Sequence, residues 1–119
     1  MQRAARIAAW LAVLALAVAS WTPGEDMVRT GMDGKAEHFV AYLLTGLSFA
    51  LAYRDRSPLV FAVALAFYAS ILEMGQWFVP GRHANILDLA AGVFGAFVAS
   101  ILAVAWGRRG ARISPYLKP

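Results

Sequence analysis

Apolar positions run almost unbroken through four stretches of the chain, residues 7–21, 36–53, 59–79 and 86–106, with polar residues mostly between them. Apolarity on every side of a helix, rather than on one stripe, marks a helix enclosed by protein or by lipid. A bilayer core takes roughly 17–25 helical residues. The last two stretches meet that length outright. The second meets it with His38 and Tyr42 near one end. The first meets it once Ala4, Ala5 and Arg6 are included, the arginine reaching the lipid surface along its own stem. The pattern therefore predicts helices over residues 5–21, 36–53, 58–79 and 86–106 and a short tail over 107–119. The expected fold is all-α, an integral membrane four-helix bundle, with the whole chain as a single domain.

The boundaries carry helix chemistry. Ser57-Pro58 reads as an N-cap followed by proline at the first helical position. Asn85, with Asp88 three residues on, can cap the fourth helix and place negative charge at its positive dipole end. Pro80-Gly81 is expected to break the third helix and Gly107 to end the fourth. Trp10, Trp21, Tyr53, Trp77 and Trp106 are expected near helix ends, where amphipathic rings favour a membrane interface.

Basic residues set an orientation. Arg3 and Arg6, Arg54 and Arg56, then Arg108, Arg109, Arg112 and Lys118 fall on alternate segments, and only Arg29, Lys35 and Arg82 fall on the others. The positive-inside rule puts the larger group, and with it both termini, in the cytoplasm of a cell with an inner membrane. The loops over 22–35 and 80–85 then face outward. A rival reading exists for the first helix. Arg3 and Arg6, the apolar run 7–16 and Ala17-Val18-Ala19 have the layout of a secretory signal peptide. Its removal would leave three helices and the same orientation for the rest.

Composition sharpens this picture. At 119 residues the chain is 61% apolar and 15% charged, against about 45–50% and about 25% in soluble domains. So small a domain has too little interior for that apolar surface, and lipid is the expected partner for the remainder. With no cysteine, disulfides and thiolate metal sites are excluded. No cofactor, metal or nucleic-acid partner is expected, and self-association stays open.

Polar side chains inside membrane helices are expensive, about 2.5–3.5 kcal/mol for an acid at the helix centre. Those present are His38, Tyr42, Glu73, Gln76 and Asp88, with Lys35 and Arg82 flanking them. All seven lie toward the outer end. Lys35, His38 and Tyr42 share one helix face by their spacing, as do Glu73 and Gln76. Glu73 stands seven residues before Pro80, roughly 10 Å below that helix end. Asp88, Gly92, Gly95 and Ala99 line a face small enough for close approach of another backbone. A bundle that turns these faces inward forms one outward-opening polar pocket. Glu73 is then expected to be protonated or ion-paired near Arg82 or His38. Plainer roles fit each residue too: a cap for Asp88, interface anchors for Lys35, Arg82 and Tyr42, contact with water for His38, an interhelical hydrogen bond for Gln76. The small-residue stripe reads chiefly as packing.

The run Lys35-Ala-Glu-His38-Phe-Val-Ala-Tyr42, then Glu73-Met-Gly-Gln76-Trp-Phe-Val-Pro80-Gly81-Arg82, then Asp88 with Gly95, resembles the VanZ-like family. The resemblance covers residues 35–99, and the Glu-x-x-Gln, Pro-Gly-Arg and Asp combination is its most specific part. It implies a bacterial envelope membrane protein. The family takes its name from a member linked to resistance to the glycopeptide teicoplanin, and no reaction is attached to it. The family commonly has asparagine where this chain has Gly92, so that amide is missing here or replaced.

Four functions compete. A binding module for an anionic lipid or lipid-linked cell-wall precursor would use Lys35, His38 and Arg82 as donors, held by Glu73 and Asp88. A membrane enzyme would use His38 and Glu73 as an acid–base pair on a lipid-linked phosphate or acyl group. It would lack a serine or cysteine nucleophile and the H-E-x-x-H spacing of a zinc site. A proton relay or transporter would need a polar path through the inner half, which a single chain does not offer. A structural partner in an envelope complex is the fourth. The binding module is the preferred reading.

Overall fold

A computed structural model describes residues 1–27 and 29–113, with side chains through Gly107 apart from Val28. The basic side chains Arg108, Arg109 and Arg112, and Lys118 in the last segment, lie outside the described side chains. The fold is all-helical. Its α-helices are α1 (Gln2–Trp21), α2 (Gly34–Ala52), α3 (Pro58–Gly75) and α4 (Ile86–Ile113), with short 3-10 turns at Gly24–Asp26 and Gln76–Phe78.

Among the described residues, three helical segments are long and apolar enough to cross a membrane: Gln2–Trp21, Pro58–Phe78 and Ile86–Gly107. The α2 helix, though 19 residues long, is not among them. Lys35, Glu37 and His38 occupy its first turns, and charge there lowers its mean hydropathy. Of the four expected spans, three are therefore met on length and composition, and α2, the one that depended on tolerating its polar first turns, is not.

Two boundaries differ from the sequence reading. Helix α3 stops at Gly75, before Pro80, and tightens into the 3-10 turn. The Trp21 indole lies against Gly75, where a Cβ would collide with Nε1, and donates to the Leu72 carbonyl at 3.1 Å. A tryptophan thus seals the last turn. At the other end, α4 does not stop at Gly107 but continues to Ile113. An isolated glycine costs a helix only about 1 kcal/mol. Gly107 is not among the glycines with positive φ, so it does not form the left-handed C-cap that would end the helix.

Helix α4 packs most extensively on α2, then on α3, and α1 lies against α2. The α2–α4 crossing is close because its contact residues are small. A Cβ on Gly46 would stand 2.7 Å from that of Ala99, and one on Gly95 would collide with the Phe39 carbonyl. Two hydrophobic clusters stand out among the buried residues. Tyr42, Leu65, Ala69 and Ala96 make one. Ala9, Phe49 and Ala52 make the other, where Trp10 meets Phe49 edge-on at 5.4 Å and Phe61 stacks on it at 5.3 Å. Trp10 therefore meets Phe49 from well inside α1, with more than half of its surface exposed, rather than from a helix end.

Polar contacts tie α1 along its length. Arg6 reaches the Ala52 carbonyl and lies over the Tyr53 ring. Trp10 donates to Tyr53, Tyr68 donates to the Val13 carbonyl, and Gln76 donates to the Ser20 carbonyl. Removal of α1 would strip these partners from α2 and α3, so the first helix is a structural member of this bundle.

Candidate functional site

The loop between α1 and α2 and the loop between α3 and α4 meet backbone to backbone. The Gly24 N–H donates to the Pro80 carbonyl at 3.0 Å, and a Cβ on Gly24 would collide with the Gly81 carbonyl. Gly81 has φ +73°, which glycine adopts without strain. This crossing brings Arg82 back over the end of the bundle.

Beneath it lies a cavity of about 380 Å³ between the end of α1, the first loop and the start of α2. Among the seven residues expected in one pocket, His38, Tyr42 and Arg82 line it. Asp26 and Glu37 add acids to its wall, and Met27 stands beside them. Tyr42 is buried at its floor, with its ring against Gly92, where a Cβ would come within 2.9 Å of Cδ2. The ring fills the space in which a longer residue at 92 would sit. The His38 ring pairs through Nδ1 with the Gly34 carbonyl at 2.8 Å. Lys35, one helical turn above, is exposed. The stripe Lys35–His38–Tyr42 thus runs from water to core along one face, as its spacing requires.

Arg82 does not meet Glu73 or Asp88. Its Nη1 contacts the Met27 sulfur, and no carboxylate lies within 4 Å of it among the described residues. Glu37 accepts instead from the Thr30 hydroxyl. The expected ion pair of Glu73 with Arg82 or His38 is likewise replaced. Glu73 is buried, and its Oε1 accepts the backbone N–H of Asn85 at 2.6 Å. The reason is local: the first turn of α4 presents unpaired N–H groups beside the end of α3, and a carboxylate satisfies one without any cation. Asn85 caps the same turn through Oδ1, accepting from the Leu87 N–H at 2.9 Å.

Gln76 is buried and committed to the Ser20 carbonyl at 3.1 Å. Asp88 sits in the first turn of α4, its carboxylate facing Gly34 at the start of α2, where two helix N-termini favour negative charge. The seven residues therefore divide. His38, Tyr42 and Arg82 border the cavity. Glu73, Gln76 and Asp88 hold helix ends together, and Lys35 stands outside.

Asp26, Met27 and Glu37 were absent from the sequence-derived set. Glu37 could have been found, since it sits four residues before Ala41 as His38 does before Tyr42, and all four line the cavity. Asp26 and Met27 lie in or beside a loop turn, where no periodicity marks a position. No family model, no curated protein and no solved structure matches the chain.

Proposed function

We propose that the chain is a VanZ-like integral membrane protein of the bacterial cell envelope. In this reading it spans the cytoplasmic membrane four times with both termini inside, and its outward cavity binds an anionic lipid or a lipid-linked cell-wall precursor. Three apolar helices and the one-sided basic residues support the membrane assignment. Helix α2 crosses with its charged first turns at the outer surface. The resemblance over residues 35–99 supports the family.

The observation that carries the binding reading is Arg82 over the cavity with no carboxylate within 4 Å among the described residues. A guanidinium so placed offers its fork to a phosphate. Asp26 and Glu37 on the same wall narrow the ligand. It brings a phosphate to Arg82 and hydroxyl or amine donors to the acids, as sugar-phosphate and amino-phosphate headgroups do. The acid–base alternative has less support, because Glu73 does not line the cavity and its carboxylate is engaged by Asn85.

Gentle extraction of the full chain, followed by mass spectrometry of co-purifying lipids, tests the reading. Wild type is expected to retain a phosphate-bearing envelope lipid that Arg82→Ala loses. Identical lipid profiles for the two would refute it. The reading extends to a change in teicoplanin susceptibility on expression, abolished by the same variant.

A further inference from the structure

At the end of the bundle opposite the outer cavity lies a larger cleft of about 780 Å³, within the range of sites that enclose small ligands. The α2–α4 crossing is still close at Gly46 and Ala99. Beyond it α2 ends at Ala52, while α4 runs on to Ile113, and the cleft opens between their ends. Leu47 and Leu51 of α2 and Leu102 of α4 form its apolar wall. Leu51 and Leu102 remain about half exposed, at 53% and 48%.

The rim is basic. Arg54 and Arg56 stand in the turn that follows α2, and both line the cleft. Asp55 is the nearest counter-charge, 3.6 Å from Arg56, with both side chains about 70% exposed to water (73% and 69%). So exposed a pair holds its arginine only weakly. Arg54 has no ion partner among the described residues. Beside them the N-terminus of α3 starts at Pro58, and its N-cap Ser57 makes no side-chain cap bond. First-turn N–H groups therefore add to the positive field at the same rim.

We infer that this cleft is a second site, for one anionic phospholipid of the cytoplasmic leaflet. An acyl chain lies along Leu47, Leu51 and Leu102, and the phosphate rests on Arg54 and Arg56. The inference uses the proposed membrane orientation but not the outer cavity. Charge complementarity selects the occupant: a basic pocket between helices on the cytoplasmic side suits an anionic headgroup, and the apolar wall offers an acyl chain contact that a free phosphate cannot make.

Native mass spectrometry of the full chain in detergent tests it, with phosphatidylglycerol, phosphatidylcholine of the same chains, and inorganic phosphate as probes. Wild type is expected to bind phosphatidylglycerol about tenfold more tightly than phosphatidylcholine, from two arginine contacts partly offset by Asp55. Arg54→Gln with Arg56→Gln should bring the two lipids level, Arg54→Lys with Arg56→Lys should restore most of the preference, and phosphate should not displace the lipid. Equal affinity in the wild type, an undiminished preference in the glutamine pair, or displacement by inorganic phosphate would overturn the site. Arg82→Ala should leave the preference intact, which separates this result from the fate of the outer cavity.

Discussion

Glu73 lies buried at the end of α3, where its carboxylate accepts the Asn85 N–H. A buried carboxylate needs hydrogen bonds, and a helix N-terminus can supply them as well as a cation can. Substitution separates the two kinds of support. Glu73→Gln keeps an acceptor oxygen and loses the charge, so it should lower stability by about 1 kcal/mol. Glu73→Ala leaves the Asn85 N–H without this partner and should cost about 1–3 kcal/mol. Thermal unfolding of the purified chain in detergent would check the order, and equal melting of both variants with wild type would contradict it. Had Glu73 neutralised a buried arginine, the loss for Gln would be larger, about 3–5 kcal/mol. The presence of a costly acid was legible from its depth in an apolar run. Its partner was not, because Asn85 offers a backbone group that every non-proline residue has.

Among the elements, the α2–α4 contact should respond most sharply to added volume. Gly95→Ala would drive a methyl group into the Phe39 carbonyl, and backbone cannot yield as a side chain can. Such overpacking should cost about 1–3 kcal/mol. Gly107→Ala is the control, since nothing lies within 4 Å of that position. It should be neutral or stabilise α4 by up to about 1 kcal/mol. Melting temperatures of the two variants would show the contrast, and a Gly95→Ala protein as stable as Gly107→Ala would mean the helices are not closely apposed. The stripe Gly92–Gly95–Ala99 was legible as a packing face from its spacing. Which helix filled it was not, because α2 and α3 both offered polar residues at the outer end. Helix starts were read well at Pro58 and Ile86, where proline and a capping asparagine act locally. Helix ends were read less well, at Gly75 and beyond Gly107, because there a tryptophan from α1 and a helical glycine decide the outcome.

For the molecule as a whole, orientation is the property that everything functional depends on. Reporter fusions at Gly24 and Arg82 should read outside, and fusions at Arg56 and after the last residue should read inside. An inside signal at Arg82 would reverse the outer cavity and the inner cleft together. The loop crossing at Gly24 and Gly81 requires those two loops to lie on one side, so a split result at Gly24 and Arg82 would contradict the fold itself.

The sequence by itself determined the helices, their order and the grading of polarity from one end of the bundle to the other. These follow from hydropathy, capping and charge, which act over a few residues or through the surrounding solvent. Only the tertiary structure decided how the polar residues were shared out: Arg82, His38 and Tyr42 to a cavity with Asp26 and Glu37, Glu73 and Gln76 to the backbone of neighbouring segments, Asp88 to the foot of α2. Helical phase places a side chain on a face but leaves open which neighbour that face meets. Backbone N–H and carbonyl groups compete for every buried polar atom, and that competition is settled only when the helices pack.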